Sequence, residues 1–398
     1  MLTYKILGCG GVCPRANTGL ASIYVQCGRT SILIDCGESS QLFAAKINLS
    51  LFNLNAIFIT HLHADHVLGI PGLLSSLTNN GRKAPLVIYG PPGTESMLMS
   101  MLGTIATLSF RVYAVEVSDQ TSIDLLSLHV DVAALQHSTV CYGYAISAVR
   151  QPMYRQDVVE STGLSQAAIS LLQAGCNIEY DGLQLDINTV FGTNRENVKL
   201  VYATDTGVCK SLKRLCKDAN IVVLDGSYGS DAQRPKTDTS AVHMSFAEAA
   251  TVAKEAGVKK LILTHFAPLT ISPWIYLEET REIFANTVCA YPGMSGTLTF
   301  DREISDEEGL PVIETTSNNL RGIIFRGFGL LHVSTPLPQG VDRCVLTAPR
   351  FAAIVRVADS VAVHNGKACK DVNEPGAKIS LYVEFLQCIR WMKKEVAS

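Results

Sequence analysis

The sequence predicts an α/β protein in which two β-sheets lie face to face between layers of helices. Three observations lead there. Short apolar runs of strand length alternate with helix-type segments over most of the 398 residues. These runs stop repeatedly at a carboxylate, hydroxyl or imidazole, and it is the C-terminal ends of strands that present ligands to a crevice in α/β sheets. Five of the nine histidines and two aspartates also fall into one ordered series. With 47% apolar and 17% charged residues the chain has the composition of a globular protein with ample core. Its 33 basic and 36 acidic residues exert no overall pull toward nucleic acid, so any such site must be a local patch.

Taken in order, Met1-Leu-Thr-Tyr-Lys5 leads into a strand without a basic-then-apolar leader, which suggests a cytoplasmic protein. No apolar run approaches the roughly 20 residues of a membrane helix. Leu7-Gly-Cys-Gly-Gly11 makes a glycine turn, but lacks the Lys-Ser/Thr that would follow in a phosphate cradle. Strands are expected at Ile32-Leu-Ile-Asp35, Ala56-Ile-Phe-Ile-Thr60, Leu200-Val-Tyr-Ala-Thr-Asp205, Ile221-Val-Val-Leu-Asp225 and Leu261-Ile-Leu-Thr-His265. Residues 165–173 have the spacing of an amphipathic helix, and so do 245–255. The second has Ser245 and Glu248 at capping-box spacing, with Gly257 to end it.

Beyond Phe300 the acidic stretch Asp301-Arg-Glu-Ile-Ser-Asp-Glu-Glu308 sets an expected boundary near 301. Residues 1–300 read as one unit and 301–398 as a C-terminal extension, an added packing layer or dimer surface rather than a substrate-binding element. Its arginines Arg321, Arg326, Arg343, Arg350 and Arg356 suit a solvated face. Near its end Ile379, Tyr382, Val383, Leu386, Ile389 and Met392 share one helical face, with Lys393 and Lys394 in the last turn. Twelve scattered cysteines without a CxxC pair suggest reduced thiols, and no second pair complements Cys9 and Cys13 as metal ligands.

The chemistry gathers in Thr60-His-Leu-His-Ala-Asp-His66, followed by His137, Asp205 and His265. Imidazole nitrogens and carboxylate oxygens bind zinc-like ions. Two histidines at i and i+2, leaving a strand, point the same way into one ion. The chain then turns, and Asp65 and His66 reach a second ion beside it. Seven donors suit two adjacent ions better than one. Such a pair clamps the attacking and leaving oxygens of a displacement and lowers the pKa of a shared water toward about 7.

The HxHxDH motif at 61–66, with the glycine-containing helix start after it, resembles the metallo-β-lactamase fold, an αββα sandwich of two mixed sheets flanked by helices. That resemblance implies His61, His63 and His137 for one zinc and Asp65, His66 and His265 for the other, with Asp205 bridging. It makes Asp35, in Leu33-Ile-Asp-Cys-Gly-Glu38, a carboxylate that orients ligands from behind. Asp35-Cys-Gly-Glu-Ser-Ser-Gln41, Gly69-Ile-Pro-Gly-Leu-Leu74, Ile88-Tyr-Gly-Pro-Pro-Gly93 and His243-Met-Ser-Phe-Ala-Glu-Ala-Ala250 narrow it to ribonuclease Z, which trims the 3′ end of precursor tRNA. The glycine turn at 7–11 also looks like that family's. By this resemblance His243 protonates the leaving oxygen, Asp65 receives the water's proton, and a homodimer with two zinc ions, or manganese, is expected. Where the family tends to read His-Glu-Ala-Thr this chain has Leu224-Asp-Gly-Ser227, so Asp225 is the candidate partner of His243, one methylene shorter.

Two departures concern substrate. Ribonuclease Z carries a basic projecting arm with a Gly-Pro pair that grips tRNA. Here 147–181 has Arg150 and Arg155, no lysine, no Gly-Pro pair, and the acids Asp157 and Glu160, a reduced arm-like insertion. The family's Ser-x-Arg-Tyr after the last metal histidine is replaced by Ala267-Pro-Leu-Thr270. The leading expectation is therefore a binuclear metal phosphodiesterase acting on precursor tRNA. The alternative keeps the metals and takes a small phosphodiester such as a cyclic nucleotide. A non-catalytic scaffold ranks below both because all seven donors are present, and thioester or lactone hydrolysis lower still. A redox di-iron centre is disfavoured because those proteins usually place Glu where His63 stands.

Overall fold

A computed structural model describes residues 1–300 apart from 104, 106, 149–154, 174–176, 181, 186–189, 191–196 and 236–241, and beyond 300 the strands noted below. Its first sheet is built from β1 (Leu2–Gly8), β2 (Ser22–Cys27), β3 (Thr30–Ile34), β4 (Ala56–Phe58), β5 (Leu86–Gly90) and β6 (Val112–Glu116). The second is built from β7 (Ser122–Leu125), β8 (Leu128–Ala134), β9 (Tyr142–Ala148), a set β12 (Val198–Ala203), β13 (Ile221–Asp225) and β14 (Lys260–Thr264), and β15 (Thr287–Cys289). A hairpin of β10 (Ile178–Tyr180) and β11 (Leu183–Leu185) stands apart. The chain then returns to the first sheet as β16 (Ser295–Leu298) and β17 (Ile304–Glu307). The strand orders are β17-β16-β1-β2-β3-β4-β5-β6 and β15-β14-β13-β12-β9-β8-β7. Both sheets are mixed: β3 to β6 and β12 to β15 run parallel, and the remaining neighbours run antiparallel.

Alternation along the strands establishes four layers, because successive side chains point to opposite faces. In β3, Ile32 and Ile34 join the core between the sheets, whereas Leu33 joins a second cluster. Ala56 and Phe58 of β4 face inward in the same way, with Ile57 outward. The outward cluster is covered by helices Ser40–Lys46, Ile70–Asn79 and Thr94–Leu102 through Phe43, Leu73, Leu74, Leu77 and Leu98. Helices Lys210–Cys216 and Phe246–Glu255 pack on the second sheet through Leu212, Leu215, Ala249, Ala250 and Ala253. Every residue of β13 and β14 is buried, as expected of parallel strands covered on both faces. This is the αββα sandwich expected from the sequence.

All five expected strands form, and their polar end residues lie at or just beyond the strand C-termini. Between β9 and β12 the helices Gln156–Thr162 and Gln166–Gln173 and the β10–β11 hairpin enclose a separate small core of Leu164, Ala168, Ile169, Leu172, Leu185 and Val190. The helix at 245–255 begins with the expected capping box: Glu248 N donates to Ser245 Oγ (3.4 Å) and Ser245 N to Glu248 Oε2 (2.8 Å).

Beyond 307 the described strands are Val312–Thr316, Leu331–His332, Arg343–Ala348, Phe351–Ala358, Ala362–His364, Lys367–Cys369 and Tyr382–Val383. Tyr382–Val383 pairs antiparallel with Leu331–His332, which corrects the helix expected there for these two residues. A Tyr-Val pair has strong strand preference, and here the cross-strand partner prevails over helical spacing. Ile379, Leu386, Ile389, Met392, Lys393 and Lys394 lie outside the described residues, as do Arg321, Arg326 and Arg350. Arg343 and Arg356 stand opposite one another on paired strands.

Candidate metal centre

Strand ends assemble the site. Asp35 follows β3, the loop from Thr60 to His63 follows β4, Asp205 follows β12, Asp225 ends β13 and His265 follows β14. His61 and His63 leave β4 through a loop, since the strand itself stops at Phe58, and His63 is still extended (φ −69°, ψ 151°). A single helical turn, Ala64–Val67, then redirects Asp65 and His66. Asp35, Asp205 and His265 all adopt left-handed backbone (φ 56°, 53° and 59°). Asp and His tolerate that region better than most residues, and such strain concentrates at functional sites.

Two triads of donors emerge. His61, His63 and His137 offer ligand atoms within 4.8 Å of one another, and so do Asp65, His66 and His265. His63 Nδ1 lies 2.9 Å from His61 Nε2 and 3.3 Å from His137 Nε2. His63 is exposed at the mouth, His137 half-buried and His61 fully buried. In the deeper triad His66 Nε2 and His265 Nε2 stand 3.6 and 3.5 Å from Asp65 Oδ2. Asp205 lies between the triads. Its Oδ2 is 3.1 Å from both His66 Nε2 and His265 Nε2, and its Oδ1 is 4.0 Å from His61 Nε2.

A cation fits this arrangement. Among the described residues His66 Nε2, His265 Nε2 and Asp205 Oδ2 are buried with no well-formed hydrogen bond, although they face one another at 3.1 Å. Leaving such atoms unsatisfied costs about 1–3 kcal/mol each, and a divalent ion satisfies all three together. Burial, reinforced by charge on His66, pushes the His61 pKa down to about 2, so its ring is neutral and ready to ligate. Burial works against a charged His66 as well, but Asp35 and Asp205 outweigh it and raise that pKa well above the usual value. Burial likewise opposes ionisation of Asp65, yet His265, His66 and the Val12 N–H hold its pKa below the carboxylate range. The fold and these clusters make the protein metal-dependent.

The surrounding shell is closely specified. Asp35 is fully buried and accepts from Thr60 N (2.9 Å), Thr60 Oγ1 (3.0 Å) and His66 Nδ1 (2.7 Å), which turns His66 Nε2 toward the centre. Val12 N donates to Asp65 Oδ2 at 2.7 Å. A Cβ on Gly11 would stand 2.5 Å from the His265 ring, so the turn at 7–11 approaches the site as only glycine allows. Cys13 is exposed and Cys9 buried, and no cysteine joins a metal-type cluster among the described residues.

Asp225 is the hub of the other side. Its Oδ2 accepts from Asp205 N (2.9 Å) and lies 2.9 Å from His243 Nδ1, while Oδ1 accepts from Ser227 N (2.9 Å) and Met244 N (3.2 Å). The shorter acid therefore reaches His243 directly. The His243 ring stacks on His265 (centroids 5.7 Å, 10°) and meets His137 edge-on (5.5 Å). Sequence reasoning passed over Thr60, Ser227 and Val12. Val12 acts through its backbone, which no residue identity announces. Thr60 immediately precedes His61, and Ser227 stands two residues after Asp225.

Two family profiles match, the one described as Anti-Pycsar protein Apyc1 over residues 4–174 and the one described as Beta-lactamase superfamily domain over 187–266. The chain is 34% identical over 305 residues to the ribonuclease Z of Clostridioides difficile (strain 630), spanning 76% of this chain and 100% of that protein. With the ribonuclease Z of Clostridium acetobutylicum it shares 33% over 294 residues, or 72% of this chain and 95% of that one. Among solved structures it resembles the short form of human tRNase Z (TM-score 0.53, 20% identity, 75% of this chain and 99% of that one). It resembles the metallo-β-lactamase fold protein YhfI of Bacillus subtilis to the same degree (TM-score 0.53, 20% identity, 74% and 98%).

Proposed function

The chain belongs to the ribonuclease Z family, and we propose that it removes the 3′ trailer of precursor tRNA as a binuclear metal phosphodiesterase. The observation that carries the chemistry is the pair of donor triads on either side of Asp205, with buried ligand atoms left unsatisfied among the described residues. Under this reading His61, His63 and His137 would hold one ion and Asp65, His66 and His265 the other, with Asp205 placed between them as a further donor. Zinc suits the imidazole-rich donor set, with manganese as the substitute. Ions held there would supply Lewis-acid polarisation of the phosphoryl oxygens and lower the pKa of a bound water.

The chain's own groups manage the protons. Asp65, held by Val12 N–H, takes one proton from the attacking water as its oxygen bonds to phosphorus. The bond from phosphorus to the departing 3′ oxygen breaks, and that oxygen takes a proton from His243. Asp225 occupies Nδ1 of His243 and so directs Nε2 to this task. The products are an RNA with a 3′ hydroxyl and a trailer with a 5′ phosphate.

We take residues 1–300 as the hydrolase unit and 301–398 as an extension that adds an edge strand to it. A homodimer and a cytoplasmic location belong to the same proposal. The location is supported by eight free cysteines among the described residues. No helix among the described residues is long and apolar enough to cross a membrane.

A second reading, hydrolysis of a small phosphodiester such as a cyclic nucleotide, is favoured by the segment between β9 and β12. Among its described residues the one cation is Arg155, and it is bound to Asp157 at 2.8 Å. Asp157, Glu160 and Glu179 leave that segment acidic, a poor match for phosphates. One assay separates the two readings: metal-loaded protein with 3′-extended tRNA beside a cyclic-nucleotide panel. Chelator-sensitive cleavage of the tRNA, lost in His63→Ala, is expected. Turnover of a cyclic nucleotide without salt-dependent tRNA binding would select the second reading, and full activity of His63→Ala would sink the assigned site.

A further inference from the structure

We infer that Arg234 is a positioning residue for His243, acting through the carbonyl of His243 and the helix that begins just after it. This rests on the reading of His243 as proton donor.

Arg234 directly follows the 3-10 turn Asp231–Gln233. Its Nη1 donates to the His243 carbonyl at 3.1 Å, and its Nη2 donates to the Glu248 carboxylate. The same Glu248 oxygen receives Ser245 N at 2.8 Å, so Arg234 is tied into the capping box of the helix Phe246–Glu255. Its guanidinium lies over the Tyr228 ring at 5.4 Å, and Tyr228 in turn meets the His243 ring edge-on, with centroids 6.3 Å apart. Backbone bonds join the same two segments: Tyr228 N to Met244 O (3.3 Å) and Phe246 N to Tyr228 O (2.9 Å).

His243 is thus held at both its ring and its backbone, with Ser227 Oγ also 3.2 Å from Nδ1. Asp225 grips its imidazole at Nδ1, and Arg234 grips its carbonyl. A ring bonded at one end alone still pivots about its backbone, and proton transfer tolerates little misplacement. Only a planar, forked cation reaches a carbonyl and a carboxylate together while lying on an aromatic face, so arginine is specifically suited here. Its side chain is 19% exposed, which keeps water from competing strongly for either bond. Nothing in the linear sequence marks Arg234, since the partners of its side chain, Tyr228, His243 and Glu248, are not its neighbours in the chain.

A donor matters only when the leaving group needs a proton, and that gives a test that a general loss of structure would not mimic. Arg234→Gln and His243→Asn are compared with wild type on two substrates. One is bis(p-nitrophenyl) phosphate, whose phenolate departs unaided. The other has a ribose alcohol as leaving group: 3′-extended tRNA or 3′,5′-cyclic CMP, whichever the wild type turns over. For Arg234→Gln, kcat on the alcohol substrate is expected to fall about 10- to 100-fold with KM within about twofold, while the aryl ester loses less than about threefold. Bound metal, measured by elemental analysis, stays at the wild-type ratio. Arg234→Lys, the milder change, serves where the glutamine variant folds poorly, and shows the same split to a smaller degree.

Equal losses on both substrates overturn the inference, because Arg234 would then act only through folding. A split in His243→Asn without one in Arg234→Gln or Arg234→Lys overturns it while leaving the role of His243 intact. No split in His243→Asn removes that role, and the inference with it. The same follows if the wild type hydrolyses the aryl ester alone.

Discussion

Asp35 never faces the centre of the site, yet it determines which nitrogen of His66 does. With Nδ1 bonded to a carboxylate that also takes two bonds from Thr60, the tautomer and ring angle of His66 are set. Asp35→Asn keeps the shape and removes the charge. Metal affinity is expected to weaken by about 10- to 100-fold, read by chelator competition, with the circular dichroism spectrum unchanged. Arg82 gives a contrasting case. It is 3% exposed, and its guanidinium donates to the carbonyls of Phe52, Leu54 and Pro85 while lying over the Phe110 ring. Arg82→Ala strands those carbonyls and is expected to cost about 3 kcal/mol in urea unfolding. Activity per folded molecule should not change. The histidines at 61–66 were legible because imidazole clusters rarely arise by chance. Arg82 was not, since a buried arginine that bonds backbone carbonyls looks in sequence like any surface cation.

The elements inherit their limits from these residues. The run 221–225 was legible as a strand because it is apolar throughout and ends at Asp225, and the helix at 245–255 because Ser245 and Glu248 stand three apart. Ser245→Ala removes the side-chain half of that cap and is expected to lower stability by about 1 kcal/mol, seen as a reduced melting temperature. The Tyr382–Val383 strand was misread because helical spacing says nothing of a partner 50 or so residues away, a separation fixed by its pairing with Leu331–His332. At the open edge of the second sheet, His129 on β8 bonds Asp124 at 2.7 Å and Asp131 at 3.1 Å. The bond to Asp124 raises its pKa despite partial burial, with Asp131 adding to the rise. A raised folded value stabilises fully below the unfolded value near 6.5, and this is lost as pH climbs through the folded one. Asp124 is 87% exposed, so the effect is at most about 1 kcal/mol. Asp124→Asn should lower the His129 pKa in an NMR titration, and its melting temperature should converge with wild type at alkaline pH.

For the whole molecule, cation binding and folding are linked, because the donors come from both sheets and meet only in the folded chain. A chelator is expected to lower the melting temperature, and restored metal at about a hundredfold its Kd should return about 2.7 kcal/mol. Unchanged melting under chelation would contradict the assigned centre. The sandwich itself was legible because strands ending in reactive side chains recur from Asp35 to His265. The small core between β9 and β12 was not, for a local hydrophobic cluster looks the same whether it joins the main core or stands alone. Its standing alone has a practical result. β9 and β12 are antiparallel neighbours, and Ala148 and Val198 face each other across the pair. Everything between them leaves and re-enters the sheet at one spot, so that spot is a natural splice point. A short Gly-Asn turn in place of 149–197 should leave a folded, metal-binding protein. A longer basic segment inserted at the same junction would turn substrate reach into a cassette that can be exchanged without rebuilding the catalytic body.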